Sequence, residues 1–337
     1  MNMKTVRVGV IGLGVGWSHI KAYRAHPQAD VAAICDIDTN RLAARADEFG
    51  IARTYTDWRE MLRAESLDAV SVCLPNHLHA PVSIEAMRSG CHVLCEKPLT
   101  DTLAAAGPLA DAVRASGRVL MAGMTMRYWS HCQALKRICD RGDLGSIYGA
   151  RAVYSRKNGI PGTGGWFTRR ESAGGGAIMD IGVHVLDLAW WLMGRPEPVS
   201  ASAMVYPEIG CAGAPGIDVD THALGCIRFN TGAMLQLEAG WASHRAADET
   251  GVWLYGERAG LSTHPPAVYG AEAGVATTMQ LATPASFGKE GEIGHFLTCI
   301  EQGVVPDASI DDGVQMMRML DALYRSAAQH QEVAVNS

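Results

Sequence analysis

Three ionisable side chains in this sequence have the types and settings that proton transfer needs. Lys97 lies in Cys95-Glu96-Lys97-Pro98, at the end of an apolar run that begins at Gly90. Asp180 and His184 are four residues apart at the start of a second apolar stretch, a spacing that sets both on one face of a helix. Oxidising a secondary alcohol requires a base for the hydroxyl proton and an acceptor for the hydride. An imidazole, with an ordinary pKa of about 6.5, holds such a proton at neutral pH. A lysine, ordinarily at about 10.4, does so only when it is desolvated or placed beside another cation. Asp180 is of a type to orient the imidazole or to grip a substrate hydroxyl. Taken singly, each has a plainer reading. Lys97 is then a solvated strand-end lysine, and Asp180 with His184 a helix cap and a satisfied histidine. A metal reading of Asp180 and His184 needs a third ligand such as His222 or His244, and no metal is expected.

The hydride acceptor is suggested upstream. Gly12-Leu-Gly14-Val-Gly16 closes an apolar strand and opens a helix. Gly12 permits the tight turn and Gly14 a close backbone approach to a pyrophosphate, whose charge then rests on the helix N-terminus. The usual third glycine falls at position 17, which is Trp17 here; Gly16 is expected to take part of its packing role one residue early. Asp36 ends the second strand, 22 residues after Gly14, where an acid accepts hydrogen bonds from the adenosine ribose and repels an added phosphate. Residues 37–40 are Ile-Asp-Thr-Asn, without an arginine. NAD is therefore expected, with NADP the lesser candidate. Pro75-Asn76-His77 follows the fourth strand, where loops of an open α/β sheet meet their ligand. The loops thus assign Gly12, Gly14, Val15, Gly16, Asp36, Ile37, Leu74, Pro75 and Asn76 to the cofactor.

These residues need a frame. Strands are expected at 6–11, 31–35, 54–56, 69–74, 92–95 and 119–122. Helices are expected between them at about 17–26, 41–49 (capped by Thr39 or Asn40), 58–63, 80–89 and 102–115. This alternation predicts a parallel, doubly wound sheet over 1–124. From about 125 the rhythm changes. Strand-like segments at 147–155, 198–206, 220–229, 233–241 and 252–256 accompany helices near 131–140, 181–193, 290–302 and 312–329. That pattern predicts an α+β domain over 125–337 with an open, mostly antiparallel sheet, the last helix able to pack back on the first domain. One sheet face would carry helix 181–193 and the other would be covered by another subunit.

Bulk properties agree with an ordinary globular enzyme. The 337 residues, 48% hydrophobic and 19% charged, suffice for two domains with sizeable cores. A net charge of −6 without a basic block argues against nucleic acid as a partner. The N-terminus lacks a signal-peptide pattern and no apolar stretch is long enough for a membrane span. Nine scattered cysteines read as reduced core thiols in a cytoplasmic protein.

The ordered set Gly12–Gly16 with His19, Asp36, Pro75-Asn76-x-x-His79, Glu96-Lys97-Pro98 and Asp180-x-Gly-x-His184 resembles the Gfo/Idh/MocA oxidoreductases over essentially the whole chain. The resemblance implies a Rossmann domain joined to an open-sheet domain that oligomerises through its exposed face, as a dimer or tetramer. It implies that Lys97 and His184 handle the proton with Asp180 assisting, and that Glu96 lies near the nicotinamide ribose. It also implies a cis Lys97-Pro98 peptide and adds His79, Glu96, Lys97 and Arg127 to the cofactor set.

The loop from Arg156 to Trp166 and Phe167 looks like the branch containing levoglucosan dehydrogenase, glucoside 3-dehydrogenases and some inositol dehydrogenases. Arg127, Arg156, Trp166 and the stretch from Trp241 to His244 are expected to line a polar pocket with an aromatic wall, together with Lys97, Asp180 and His184. Aromatic faces suit the C–H face of a pyranose or cyclitol ring, and Arg, Lys and His suit its hydroxyls. The expected substrate is a sugar, glycoside, anhydrosugar or inositol oxidised at a ring secondary hydroxyl. A reductase of a keto sugar or aldehyde uses the same residues in reverse. A non-catalytic dinucleotide-binding regulator is the remaining alternative, and it has no need of Lys97, Asp180 and His184.

Overall fold

Parallel pairing dominates the first part of the chain. The computed structural model describes residues 5–162, 165–207, 209–210, 216–282 and 288–336. Strands β1 (Val6–Ile11), β2 (Ala29–Cys35), β3 (Thr54–Tyr55), β4 (Ala69–Val72), β5 (His92–Cys95) and β6 (Leu120–Ala122) form one sheet in the order β3-β2-β1-β4-β5-β6. Every pairing in it is parallel. Strand β4 is buried at all four positions, as expected of a strand with helices on both faces. The strand order reverses between β1 and β4, and an open α/β sheet takes its ligand outside the carboxyl ends of the strands at such a switch point.

Helix α1 (Leu13–Arg24) begins where β1 ends. Gly12 between them has φ +87°, and a Cβ there would lie 2.2 Å from the carbonyl oxygen of Cys73, so only glycine fits. The next helix, Thr39–Phe49, is capped not by Thr39 or Asn40 but by Asp38, whose carboxylate accepts from the amides of Asn40 and Arg41. Asp38 holds the extended backbone that a cap requires, whereas Thr39 is already helical.

The chain divides into two units, one of residues 1–124 and 287–314, the other of 125–286 and 315–337. The sequence allowed only the last helix to return to the first domain. In the structure helix Gly288–Gln302 is part of it, and the amide of Ala122 donates to Ala308 at 2.9 Å.

The second unit holds a sheet of nine strands. They are β7 (Ile147–Ser155), β8 (Pro198–Tyr206), β9 (His222–Phe229), β10 (Met234–Gly240), β11 (Glu249–Gly256), β12 (Gly260–Thr263), β13 (Pro266–Glu272), β14 (Val275–Gln280) and β15 (Val333–Ala334). The order is β14-β13-β12-β11-β7-β10-β9-β8-β15, antiparallel except between β7 and β10. Helix Val183–Leu192 packs on one face against β7 and β11. The opposite face shows Met204, Leu224, Met234 and Tyr255 to solvent. Strands β12 to β14 escaped the sequence reading. All six residues of β14 are exposed, so it carries no period-two burial signal, and its register is fixed by hairpin pairing alone.

Leu94, fully buried in the middle of β5, tests the first core. Leu94→Ala is expected to lower unfolding free energy by about 2–5 kcal/mol in urea titration; a loss under about 1 kcal/mol would show that β5 is not core.

Candidate active site

In the first unit the functional groups gather at the carboxyl ends of β1, β2, β4 and β5. Helix α1 has no side-chain cap, so its N-terminus presents backbone amides to an anion. A Cβ on Gly14 would meet nothing closer than the Arg41 guanidinium at 3.5 Å, which keeps this side of the turn open to a pyrophosphate. A Cβ on Gly16 would lie 2.9 Å from Val10, so Gly16 does take on close helix–strand packing. Asp36 is buried, and its two oxygens accept from the amides of Leu13 and Asp38, each at 2.8 Å. These two amides fix the carboxylate while leaving lone pairs for ribose hydroxyls. An arginine is close after all. Arg41, one residue beyond the Ile37–Asn40 stretch, lies 3.4 Å from Asp36 and 2.9 Å from Asp38. These features suit a dinucleotide: an open turn, an uncapped helix start and a fixed acid.

Glu96 is the centre of a buried network. Its Oε1 accepts from His19 Nε2 and from Lys289 Nζ, both at 2.8 Å. Lys289, on the returning helix, also reaches Glu292 at 2.6 Å. The other nitrogen of His19 is 3.1 Å from Ser71 Oγ, and Tyr23 Oη is 3.0 Å from the same hydroxyl. A neutral imidazole satisfies the whole chain. Tyr23 donates to Ser71, Ser71 to His19 Nδ1, and His19 Nε2–H to the carboxylate. Burial, helped by the Lys289 cation, lowers the His19 pKa to about 4. Burial pushes Glu96 up, but Lys289 and the hydrogen bond from His19 prevail and hold it well below the carboxylate range. Lys97 follows, half-buried, and the Lys97-Pro98 peptide is cis. The Glu96 carboxylate also accepts from the Lys97 amide at 3.2 Å. His79, buried, lies 2.7 Å from the Pro98 carbonyl and 2.8 Å from the Leu74 carbonyl. Its ring thereby joins the residue after Lys97 to the end of β4, and burial lowers its pKa.

In the second unit the segment bearing Asp180 is not a plain helix. Ile178–Gly182 is a π-helical turn, with the Val183 amide donating to Ile178, and helix Val183–Leu192 continues from it. One extra residue in the turn alters the simple i,i+4 geometry expected of Asp180 and His184. Such turns recur at functional sites. Trp241 Nε1 donates to Asp180 Oδ2 at 2.9 Å. The indole is fully buried against Ala177, Ile181, Val219 and Ala239, so Trp241 does not wall a pocket as expected; it fixes Asp180. Asp180 and His184 are each half-buried.

Arg127, expected at cofactor and substrate, is fully buried instead. Its Nε and Nη2 donate to Asp187 at 2.8 and 2.6 Å, because a guanidinium taken from water needs a fork-shaped acceptor. Arg156 stays partly exposed over the Tyr154 ring, Trp166 stacks on Phe167 at 3.7 Å, and His244 is exposed. Of the expected cofactor loops, Asn76 is buried, Leu74 and Pro75 are half-buried, and Val15 and Ile37 are exposed. Thr163 and Gly164 of the loop before Trp166, and Cys211, lie outside the described residues. Among the described residues no cluster of His, Cys, Asp or Glu could hold a metal, and no helix is long and apolar enough to cross a membrane.

Residues 6–124 match the model described as "Oxidoreductase family, NAD-binding Rossmann fold", and 132–262 match the GFO/IDH/MocA C-terminal domain. A D-glucoside 3-dehydrogenase of Escherichia coli (strain K12) is 31% identical over 340 residues, 97% of each chain. The chain belongs to the GFO/IDH/MocA family of oxidoreductases. A second member, levoglucosan dehydrogenase of Pseudarthrobacter phenanthrenivorans, is 31% identical over 269 residues, 72% of this chain and 69% of its own. The solved structure of a levoglucosan dehydrogenase with NADH and L-sorbose superposes with a TM-score of 0.90 at 27% identity, covering 99% of both chains. This GFO/IDH/MocA protein is thus an NAD-binding oxidoreductase by family.

Three partners of the site escaped the sequence reading, Lys289, Asp220 and Tyr324, while Trp241 was read as a pocket wall and not as a partner of Asp180. A buried Trp near an acid is a faint signal, but 61 residues separate Trp241 from Asp180. Only the fold joins them.

The buried imidazole has a pH consequence. Its folded pKa, about 4, lies below the unfolded value of 6.5, so the unfolded chain takes up the proton first as pH falls. Stability is then lost from about pH 6.5 down towards 4, by roughly 3 kcal/mol in full. Urea unfolding from pH 7 to 4.5 is expected to show this decline, and His19→Asn to flatten part of it, with His79 and the other histidines whose pKa burial lowers retaining the rest. Equal slopes in both proteins would remove His19 as the titrating group.

Proposed function

We propose that the protein is an NAD-dependent dehydrogenase oxidising a ring secondary hydroxyl of a sugar, glycoside, anhydrosugar or inositol. The observation that carries this reading is that near-full-length similarity to a glucoside 3-dehydrogenase coincides with the presence in this chain of Lys97, Asp180 and His184. A levoglucosan dehydrogenase as a further relative supports a ring substrate.

Bound nicotinamide supplies the hydride acceptor. Gly12, Gly14 and the start of α1 hold the pyrophosphate, Asp36 the adenosine ribose and Glu96 the nicotinamide ribose. Lys97 Nζ and His184 take the proton from the substrate hydroxyl as the carbonyl forms, and Asp180 receives a substrate hydroxyl or steadies the imidazole. Trp241 keeps Asp180 in a single orientation by donating to one oxygen. Arg156, Trp166 and His244 provide hydroxyl donors and a ring-stacking face. Free thiols at the eight described cysteines suit a reducing compartment, and we assign the enzyme to the cytoplasm.

The exposed face of the second sheet is assigned to a second copy of the chain. Met204 opposes Leu224 across β8 and β9, and Leu224 opposes Glu238 on β10. Ion pairs Arg151–Glu249 at 2.7 Å and Arg245–Glu238 at 2.8 Å add a polar pattern. An apolar face with fixed charges suits an isologous interface.

Four measurements test these assignments. With NAD and a panel of inositols, pyranoses, glycosides and anhydrosugars, reduced cofactor is expected to form with ring compounds; reduction by straight-chain alcohols alone would overturn the substrate class. Lys97→Ala is expected to cut kcat by about 10²–10⁴-fold with NAD affinity nearly unchanged, and near-normal turnover would take Lys97 out of the proton path. Asp36→Ala is expected to weaken NAD by about tenfold or more, the loss of one charge-assisted bond, and to relax discrimination against NADP with Arg41 left beside the site. An unchanged preference in equilibrium binding would mean that Asp36 does not meet the ribose. For the interface, light scattering is expected to give an oligomer that Leu224→Arg splits, and a monomeric wild-type protein would refute it.

A further inference from the structure

Asp220 is 2% exposed, and its carboxylate accepts from three neutral donors. Oδ1 takes the Gly176 amide and the Tyr324 hydroxyl, both at 2.7 Å, and Oδ2 takes the Ile178 amide at 2.9 Å. Its own carbonyl accepts from the Ala177 amide at 2.8 Å. One residue thus receives three consecutive amides, 176 to 178, at the start of the π-helical turn. That turn has no side-chain cap of its own, and a carboxylate at a helix start is favoured by the amide dipoles. The same chain segment acts a second time. The Thr221 carbonyl accepts from the Trp241 amide at 2.9 Å, and Trp241 donates to Asp180.

The fit leaves no room for side chains. A Cβ on Gly176 would lie 1.8 Å from the Asp220 carbonyl oxygen, and one on Gly175 would lie 2.1 Å from the Tyr324 hydroxyl. The glycine run before Asp180 therefore exists to let Asp220 and Tyr324 approach. Burial and the neighbouring Asp220 push the Tyr324 pKa well above its ordinary value, so this phenol donates throughout the working pH range.

We propose that Asp220 and Tyr324 are positioning residues that set the orientation of Asp180 and His184 for proton transfer, through the start of the turn that carries Asp180 and leads into the helix of His184, and without touching substrate. The inference rests on the role given to Asp180 and His184 above. Tyr324→Phe withdraws one donor and loosens Asp220; Asp220→Asn replaces one acceptor oxygen with an amino group that faces a backbone N–H.

The test uses the full-length protein with NAD and the best ring substrate of the panel. Tyr324→Phe is expected to fold, to bind NAD within about 2-fold of wild type, and to lower kcat by about 10- to 100-fold, the range for small misplacements of a catalytic group. It is also expected to shift the basic limb of the kcat–pH profile, which a loss of folded protein alone would not move. Asp220→Asn is expected to show a larger loss, and Asp220→Glu no rescue because the site has no spare volume. A wild-type kcat and pH profile in Tyr324→Phe would overturn the proposal, as would a kcat loss matched by the unfolded fraction with no shift in the profile. Asp180→Asn and His184→Ala serve as references. If they are inactive while Tyr324→Phe is normal, only the positioning proposal fails; if both keep full turnover, the catalytic reading fails and takes this inference with it.

Discussion

A carboxylate withdrawn from water must be met by donors, and this single constraint shapes the functional half of the molecule. Asp36 is met by the amides of Leu13 and Asp38. Glu96 is met by His19 and Lys289, Asp180 by Trp241, Asp187 by Arg127, and Asp220 by two amides and a phenol. Each solution differs because each acid does a different task. Asp36, expected to touch cofactor, accepts one amide at each oxygen, which leaves lone pairs for ribose hydroxyls. The acids that hold the framework, Asp187 and Asp220, are saturated by donors inside their own unit. An unmet buried charge would cost several kcal/mol, so the donors cannot be removed without rebuilding what surrounds them.

The same constraint separates binding from chemistry. In the first unit the donors are backbone amides, a hydrogen-bonded chain of neutral groups ending on Glu96, and the Lys289 ammonium, which together favour anions and ribose hydroxyls at one sheet edge. In the second unit an indole, a guanidinium, backbone amides and a phenol, all on regular elements or directly beside them, meet Asp180, Asp187 and Asp220.

Local signals reached the parallel sheet, the glycine turn, Asp36 and the Glu96-Lys97-Pro98 run because each depends on short-range geometry: a strand end, a tight turn, a spacing along a helix. They failed where the determining partner is distant. Trp241 has the composition of a pocket wall, yet its indole is enclosed and serves Asp180. Arg127 has the composition of a ligand-binding cation, yet Asp187, 60 residues away, consumes it. Strand β14 has no burial period, so it could not be read until β13 supplied its pairing.

By itself the sequence determined the dinucleotide turn, because only glycine tolerates φ +87° against the Cys73 carbonyl. It also determined the supply of titratable groups and the alternation that makes a parallel sheet. The tertiary structure alone decided which of those groups are held ready and which are spent. Burial and hydrogen-bond partners are properties of space, and residues 96 and 289, or 176, 220 and 324, have no relation until the chain folds.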